Sequence, residues 1–332
     1  MNQSACAMEA VLEWDNLMNA FHNAAKGKAD RKEVIAFRKN LDRNIFALQK
    51  DLENLTMAFG RYSFFRIHDP KTRDICAAAF RERVAHHALI NVCGPVLDHC
   101  QIRHSYACRK GKGQHRALKT ASQWACHHEF FLKMDVARFF DTVDHAVLKK
   151  MLAGKIRDAK ARALFSKIID SYESVPGKGL PLGNLTSQYF ANFYLTGFDH
   201  WIIQSTGAGR YLRYMDDMVV FADRLDLKKL SNEIEYYLDA NLKLRLKPNH
   251  QINRTENGLG FLGAVVYPGR LRLSQAAKRR VSRKFKARET AFQKEIISEK
   301  DLAHGVQSLW AGLCHTQSRG WRKNLAVKSR IA

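Results

Sequence analysis

Three aspartates stand at the ends of short apolar segments, where carboxylates can gather at one rim of a sheet. Asp135 ends the apolar run 129–134. Asp216 and Asp217 lie between two further hydrophobic segments, which predict a strand, a tight turn and a second strand. Carboxylates that converge repel one another, so the cluster needs a cation to be stable. The pattern indicates a metal site.

The chemistry of such a site follows from its ligands. Hard carboxylate oxygens suit Mg²⁺, which keeps waters and takes substrate phosphates as its remaining ligands. Two ions roughly 3.5–4 Å apart activate an attacking hydroxyl and stabilise a leaving pyrophosphate. We predict in-line nucleotidyl transfer with two Mg²⁺ ions, or Mn²⁺ in their place, and with Asp135, Asp216 and Asp217 as catalytic residues and metal ligands.

The Asp216–Asp217 pair also has a plainer interpretation, because Asp is common in hairpin turns. Taken alone, the dipeptide favours an ordinary turn over a catalytic site. The flanking motifs, taken together with the pair, favour the catalytic interpretation.

The elements that precede the first aspartate are helices and a hairpin. Apolar residues between Val11 and Phe21 recur at helical spacing. In residues 61–76, alternating aromatics lead into a basic turn, which predicts a hairpin with a basic tip. A helix over about 77–92 follows, and then a glycine-rich basic loop at 109–113.

The middle of the chain predicts helices that lead into the second aspartate motif. Helices are expected over about 144–153 and 157–171, followed by a loop rich in glycine and proline at 176–183. A long helix is predicted to begin near Thr186 and Ser187, whose hydroxyls suit an N-cap.

The C-terminal part combines a further helix, a strand and a basic tail. A helix is expected over about 227–240, and residues 258–266 resemble a strand whose glycines allow another backbone to come close. From Gln275 the chain becomes a basic helical lobe, with seven Lys and Arg and no acid between 278 and 288. Strands interleaved with helices, and then a helical tail, predict an α+β fold.

The charge of the chain indicates a polyanionic partner. The 332 residues include 55 Lys and Arg against 32 Asp and Glu, a net charge of +23. Nucleic acid is the first expectation and an anionic membrane the second. No apolar run reaches the roughly 18 to 20 residues that a bilayer span needs, so no membrane partner is expected.

The N-terminus and the cysteines predict a cytoplasmic protein. The first residues contain acids and no basic region, which is unlike a signal peptide. The seven cysteines are odd in number and form no CxxC pair, which favours reduced thiols.

Seven motifs, in order along residues 60–265, resemble those of reverse transcriptases. The tetrapeptide Tyr-Met-Asp-Asp alone would be weak support, whereas seven motifs in order are specific. They are residues 69–73 (the basic fingers hairpin), 105–109 (a second fingers motif), 133–140 (the first aspartate motif), 181–188 (the glycine–serine motif for template and nucleotide), 214–217 (the catalytic tetrapeptide), and 243–247 and 260–263 (the last two palm motifs, the second being the primer grip).

Within that family, the chain is similar to reverse transcriptases of diversity-generating retroelements. Ser187–Gln188 replaces the Ser-Pro of group II intron enzymes, and the chain is compact. Residues 14–17 and 106–109 also look like that group. The resemblance implies a prokaryotic or phage-encoded enzyme of mutagenic retrohoming. Such an enzyme copies a template RNA into cDNA, miscopies adenines, binds the RNA/cDNA duplex, and works with a basic, oligomeric accessory variability protein.

The resemblance also implies individual roles. The backbone carbonyl of Val136 is a further metal ligand, and Asp217 is either a third ligand or a residue that positions the primer end. The dNTP-binding residues are Lys71, Arg73, Phe140, Leu182, Gly183 and Lys247. The residues that contact template or primer are Ser187, Gln188, Tyr214, Phe261, Leu262, Gly263, Lys278, Arg279, Arg280 and Arg283.

Three of these roles have a physical reason of their own. Lys71 and Arg73 would hold the triphosphate, since a polyphosphate needs fixed cations. The ring of Phe140 would exclude a ribose 2′-hydroxyl, or simply pack in the core. Leu182 stands where many relatives have glutamine, and it cannot donate a hydrogen bond near the nucleotide, which we interpret as a source of low fidelity.

The implied architecture is a right-hand polymerase with fingers, an antiparallel-sheet palm and a short helical thumb. The expected domains are an N-terminal helical segment (1–60), fingers (61–128), a palm (129–268, with fingers-side helices about 144–175) and a basic thumb (269–332). Two alternatives stay open: a retron- or group II intron-type reverse transcriptase, and a catalytically silent RNA-binding scaffold. Mutually repelling carboxylates argue against the scaffold.

Overall fold

The structure is a computed structural model that describes residues 7–68, 72–205, 210–248 and 250–327. The helices are α1 (Met8–Leu12), α2 (Trp14–Ala25), α3 (Lys32–Lys39), α4 (Leu41–Glu53), α5 (Phe80–His99), α6 (Gln114–Ala125), α7 (Phe139–Thr142), α8 (His145–Ala153), α9 (Ala159–Asp170), α10 (Leu185–Tyr194), α11 (Thr196–Ser205), α12 (Arg224–Leu242), α13 (Gln275–Gln293), α14 (Glu299–Ala311) and α15 (Arg319–Val327).

The strands are all antiparallel to their neighbours. They are β1 (Tyr62–Ile67), β2 (Arg73–Ala78), β3 (Phe130–Asp135), β4 (Tyr211–Tyr214), β5 (Asp217–Ala222), β6 (Gln251–Arg254), β7 (Leu259–Phe261), β8 (Ala264–Tyr267) and β9 (Arg270–Leu273). The chain forms two compact units: residues 1–103, 136–205 and 233–247 make unit 1, and 104–135, 206–232 and 248–332 make unit 2.

Unit 1 begins with the predicted N-terminal helices, which pack on α5. The helical spacing of apolar residues in α2 buries Leu17 and Phe21. The ring of Phe21 stacks on Phe37 and meets Phe80 edge to face, so α2, α3 and α5 share one aromatic cluster. The predicted helices in this segment are therefore confirmed.

The predicted hairpin at 61–76 is the β1–β2 ribbon, with Tyr62 opposite Ala78 and Ile67 opposite Arg73. Of its predicted basic tip at 68–73, residues 69–71 lie outside the described residues. The first residues of the hairpin are held by buried Glu82, whose carboxylate accepts hydrogen bonds from the backbone of Gly60 and Arg61.

The helix predicted to start near Thr186 begins at Leu185, and the predicted N-cap is wrong. The N-cap residue is Asn184, and Thr186 and Ser187 are buried inside α10. Asn184 makes no side-chain cap, because its amide is used elsewhere: it accepts from Ala78 N and donates to Cys76 O. The helix is also shorter than expected, since it ends at Tyr194 and α11 follows.

Unit 2 is built on a four-stranded sheet with the order β4-β5-β3-β6. One face of this sheet carries Phe131, Leu212, Val219 and Phe221, which are buried in one core cluster. The same cluster includes α6 residues and residues from β7 and β8. The alternation of side chains along each strand thus gives the sheet an apolar face covered by α6 and a second sheet.

The segment predicted as one strand over 258–266 is a hairpin, and it belongs to a three-stranded sheet, β7-β8-β9. Leu262 (φ 47°) and Gly263 (φ 79°) form its two-residue turn, where both residues have the left-handed conformation of a type I′ turn. The predicted close approach of another backbone is also wrong. A Cβ at Gly260 or Gly263 would meet nothing within 4 Å, and at Gly258 it would meet side chains.

The basic C-terminal segment is helical, as predicted. Ser274 caps α13 through a hydrogen bond from Ala277 N, and Ser298 forms a capping box with Asp301 at the start of α14. Among the described residues, none of the helices combines the length and the apolar character that a membrane span requires. The proposed division into N-terminal segment, fingers, palm and thumb stays a prediction.

Candidate active site

The predicted strand–turn–strand around Asp216 and Asp217 is the β4–β5 hairpin. Tyr214 pairs with Asp217, so Met215 and Asp216 form a two-residue turn. Met215 has φ 57°, a left-handed conformation that a tight turn requires and that a side chain other than glycine rarely adopts. The turn places Asp216 at the tip and Asp217 at the first position of β5.

Asp135 lies directly opposite Asp217, because β3 and β5 pair with these residues in register. Side chains opposite one another in an antiparallel pair project on the same face. The predicted convergence of Asp135 and Asp217 at one rim of the sheet is therefore what the register produces. These two carboxylates continue the face that carries Phe131, Val219 and Phe221, and so they lie at the end of an apolar core.

Burial at that end of the core changes the acidity of Asp217. Desolvation, opposed by Lys133 and reinforced by the like charges of Asp135 and Asp216, raises the pKa of Asp217 to about 7. The Oδ1 atom of Asp217 is buried and has no hydrogen-bond partner among the described residues. A buried, partly uncompensated carboxylate is costly unless a cation joins it.

The donor set fits Mg²⁺ in kind, since it offers hard oxygens with a shortage of positive charge. Among the described residues, no group of three or more His, Cys, Asp or Glu side chains is placed so that it could hold a metal ion. The register brings Asp135 and Asp217 together, and the full set of metal ligands stays a prediction.

Two basic residues at this site were not predicted. Lys133 lies 3.7 Å from Asp217 Oδ1, which is too long for a hydrogen bond but close for opposite charges. Arg213 is fully buried and donates from Nη1 to the carbonyl oxygen of Met215 at 3.0 Å. This hydrogen bond stabilises the turn that carries Asp216. Side chains alternate between the two faces of a strand, so Lys133 and Asp135 were predictable as neighbours on one face. A basic residue beside a predicted metal ligand was the signal that could have identified Lys133.

The chain around Arg213 is held on its other side by the segment 104–106. The backbone N–H of Arg213 donates to His104 O, and Tyr106 N–H donates to Arg213 O. Tyr214, a predicted template or primer residue, is half-buried against the core, and burial raises its pKa.

The predicted nucleotide-binding residues that the structure describes belong to unit 1. Lys71 lies outside the described residues, and Arg73 is exposed at the first position of β2. Phe140 is half-buried in α7, with its ring 5.8 Å from that of Phe139. Leu246 forms an isolated β-bridge with Val136, the predicted backbone metal ligand. Lys247 directly follows Leu246, so it lies next to this bridge.

Leu182 and Gly183 lie against the β1–β2 ribbon. The carbonyl oxygen of Leu182 accepts from Cys76 N at 2.7 Å. Gly183 has φ 117°, and a Cβ there would lie 2.7 Å from Ile75 Cγ2. Glycine is thus required by contact with β2, in addition to the predicted contact with template and nucleotide.

Two other predicted residues, Ser187 and Gln188, differ in exposure. Ser187 is buried in α10, whereas Gln188 is half-buried. Among the described side chains, Gln188 is therefore the more accessible of this pair for a template strand.

The predicted primer-supporting segment divides in a similar way. The ring of Phe261 is buried in the core cluster of unit 2, whereas Leu262 is half-buried and Gly263 exposed in the turn. Gln114, on α6, donates to Leu262 O at 2.6 Å. The accessible part of this segment is thus the turn, which α6 helps to hold.

The basic residues of α13 lie around a narrow apolar stripe. Ala277, Val281 and Phe285 are buried, and Phe285 stacks on Trp310 of α14. Among the predicted contacts, Arg279 and Arg283 are exposed. Lys278 and Arg280 are half-buried.

Comparison with known proteins identifies the family. Residues 68–264 match the family described as reverse transcriptase (RNA-dependent DNA polymerase). The chain belongs to the reverse transcriptase family. The match spans the two segments that carry Asp135 and Asp217, and more than half of the chain.

Several relatives of this reverse transcriptase-family chain are distant. Protein YkfC of Escherichia coli is 23% identical over 60% of this chain and 65% of YkfC. The group II intron-encoded protein LtrA of Lactococcus lactis is 26% identical over 40% of this chain and 23% of LtrA. The chain thus spans less than two thirds of either relative.

A solved structure of apo telomerase from Candida tropicalis has the same fold. The TM-score is 0.51 at 13% identity, with 71% of this chain and 52% of the telomerase chain covered. The predicted α+β fold of a right-hand polymerase is confirmed for this reverse transcriptase-family chain, whereas the bounds of its fingers, palm and thumb stay a prediction.

Proposed function

We propose that this chain is an RNA-directed DNA polymerase that makes cDNA from a template RNA. The observation that carries the proposal is the register of β3 and β5, which sets Asp135 opposite Asp217 next to the turn residue Asp216. Family membership indicates the reaction, and the register supplies the carboxylates that the reaction needs.

Asp135, Asp216, Asp217 and the backbone carbonyl of Val136 would hold two Mg²⁺ ions, or Mn²⁺. When bound, such ions lower the pKa of an attacking hydroxyl and neutralise charge on the leaving pyrophosphate. The protein's own contribution is to hold these oxygens at the end of a core, where water is scarce and where their mutual repulsion favours a cation.

The remaining predicted residues would position the substrates. Lys71, Arg73 and Lys247 would bind the dNTP phosphates, and Phe140, Leu182 and Gly183 would contact its sugar and base. Ser187, Gln188, Tyr214 and the 261–263 segment would support template and primer. Lys278, Arg279, Arg280 and Arg283 on α13 would follow the RNA/cDNA duplex through its phosphates.

We also propose the retroelement subtype. The chain would act in a diversity-generating retroelement of a prokaryote or phage, in the cytoplasm, with a basic oligomeric accessory protein, and would misincorporate opposite adenine. Leu182 supports the low fidelity, because its backbone is fixed by Cys76 while its side chain has no polar group to offer the nucleotide.

The test is primer extension on an RNA template with Mg²⁺ and dNTPs, followed by sequencing of the cDNA. Wild type should extend, and Asp216→Asn should not. Asp223→Asn is a matched control, because Asp223 is an exposed aspartate just beyond β5. If wild type fails with its own RNA and accessory protein supplied, the polymerase proposal is wrong and the RNA-binding scaffold stands.

A group II intron-type enzyme is the second candidate, favoured by the likeness to LtrA over 40% of this chain. The error spectrum separates the two. Errors concentrated opposite adenine support the retroelement subtype, whereas evenly distributed errors favour the intron-type enzyme or a retron.

A further inference from the structure

Lys133 contacts two parts of unit 2 that the proposed function assigns to different tasks. Its ammonium donates to the carbonyl oxygen of Gly260 at 2.7 Å. The same nitrogen lies 3.7 Å from Asp217 Oδ1. Gly260 directly precedes Phe261 and the turn that would support the primer. Asp217 belongs to the carboxylate rim, by which we mean Asp135, Asp216 and Asp217.

The place of Lys133 in the sheet explains this double contact. It stands two residues before Asp135 on β3, and so it projects on the same face as Asp135 and Asp217. Its neighbour on that face toward the strand's start, Phe131, is buried in the core. The lysine side chain therefore leaves the core at its edge, where the hairpin carbonyl and the carboxylate are both within reach.

The carbonyl that Lys133 binds belongs to an edge strand. In the β7-β8-β9 sheet, β7 pairs only with β8 among the described strands. An outward carbonyl on an edge strand needs a partner from elsewhere, and a charged donor makes a stronger bond than a neutral one. The bond to Lys133 thus links β7 directly to β3.

A second side-chain hydrogen bond also reaches the hairpin, beside the backbone bond from Ser274 N to Gly263 O and the packing of Phe261 in the core. Gln114 binds Leu262 O from α6, but among the described residues it is Lys133 that binds the hairpin and also approaches a carboxylate of the rim. Loss of Lys133 would leave Gln114 and the buried Phe261 to hold the hairpin, but it would remove the one of these contacts that also lies next to an aspartate of the rim.

We propose that Lys133 is a positioning residue that sets the primer-supporting hairpin at a fixed distance from the carboxylate rim. The inference rests on the proposed polymerase function. It assigns to Lys133 an effect on how the primer 3′-hydroxyl meets the reaction centre, rather than on how tightly nucleic acid or dNTP binds.

The test compares Lys133→Met, which keeps the length of the side chain but loses its charge and donors, with Lys133→Arg, which keeps both. Lys149→Met is the matched control, since Lys149 pairs with Asp170 within unit 1. The measurements are the single-turnover rate constant for primer extension on RNA, the KM for dNTP, and the Kd of primer–template from fluorescence anisotropy.

We expect Lys133→Met to lower the rate constant about tenfold, with both KM and Kd changed by less than about twofold. Lys133→Arg should recover a large part of the rate, and Lys149→Met should match wild type. In the metal-free proteins, amide hydrogen exchange at 262–264 should accelerate in Lys133→Met and stay unchanged in Lys149→Met.

The inference is overturned if Lys133→Met extends primers as fast as wild type. It is also overturned if the Met and Arg variants lose rate equally and both unfold at lower temperature, which would indicate a merely structural role. A wild type that extends nothing with its own RNA and accessory protein supplied would instead contradict the proposed polymerase function, and the inference with it.

Discussion

Asp135 and Asp217 lie opposite each other on neighbouring antiparallel strands, at the end of a sheet face whose inner positions are buried apolar residues. The same register that builds the core therefore brings two like charges together. The cost of that arrangement appears in Asp217, whose pKa rises to about 7 through desolvation and the neighbouring carboxylates. A cation at the rim would offset both effects, because it stabilises the charged form of the carboxylates.

Replacing Asp217 should stabilise the metal-free protein. Because the pKa of Asp217 is raised in the folded state, ionisation of this side chain lowers the free energy of unfolding. The loss of stability is absent at low pH, develops as pH rises from the unfolded-state pKa through the folded-state pKa, and is complete above about pH 7. We expect Asp217→Asn to raise the free energy of unfolding by roughly 1–3 kcal/mol at about pH 8, and by much less at about pH 4.

Urea denaturation in the presence of a chelator measures this effect. The exposed Asp223 provides the control, since Asp223→Asn should leave stability within about 0.5 kcal/mol at both pH values. A destabilised Asp217→Asn at about pH 8 would contradict the electrostatic account of the rim.

The metal requirement should depend on pH. Mg²⁺ must displace the proton that Asp217 carries below its pKa of about 7, so metal and proton compete. We expect the Mg²⁺ concentration for half-maximal extension to rise up to about tenfold per pH unit below neutrality, and to level off above about pH 8. A Mg²⁺ titration at several pH values checks this, and a midpoint that does not move with pH would count against it.

Phe140 should control sugar selection. Its ring is half-buried beside Phe139, and the predicted role is to exclude a 2′-hydroxyl. Phe140→Ala should raise ribonucleotide incorporation relative to dNTP by roughly ten- to a hundredfold, whereas Phe140→Tyr, which keeps the ring, should change it little. Competitive incorporation on one RNA template measures the ratio, and equal ratios in the two variants would assign the ring to core packing alone.

Leu182→Gln should make copying more accurate at adenine. The backbone of Leu182 is held by Cys76, so the new amide would be presented from the same position with a donor that leucine lacks. Sequencing of cDNA should show fewer errors opposite adenine, by about threefold or more. Leu182→Met serves as a control without a donor, and an unchanged spectrum in Leu182→Gln would remove this residue from the explanation of fidelity.

Basic residues on α13 should set the salt dependence of duplex binding. Arg279 and Arg283 are exposed on the face of α13 opposite the buried stripe. If both contact phosphates, the double variant to Gln should lower the slope of log Kd against log salt by about 2. A double variant that weakens binding without a change of slope would place these arginines away from the backbone.

Features of the fold that depend on residues close together in the sequence were predictable, and features that depend on distant residues were not. The strand–turn–strand around Asp216 was predictable, because apolar segments on both sides of a polar turn define it within about a dozen residues. The hairpin at 259–267 was not predicted, because its turn contains Leu262, and an apolar residue at that position favours the continuation of a strand.

Features that need a distant partner could not be predicted from pattern. The N-cap failed because Asn184 is engaged by β2, more than a hundred residues earlier. Lys133 was included in the first aspartate motif, but its bond to Gly260 was not predicted, because the two residues are 127 positions apart in the sequence. Propensity and spacing determine where elements begin, whereas tertiary contacts decide what a polar side chain finally binds.

The most direct test of the central claim is single-turnover primer extension on RNA across a Mg²⁺ titration, with Asp135→Asn, Asp217→Asn and the control Asp223→Asn. The account predicts that both rim variants lose extension by at least roughly a hundredfold at every Mg²⁺ concentration while they still bind primer–template, and that Asp223→Asn matches wild type. Extension by Asp135→Asn at the wild-type rate would contradict it, because the reaction would then take place away from this rim.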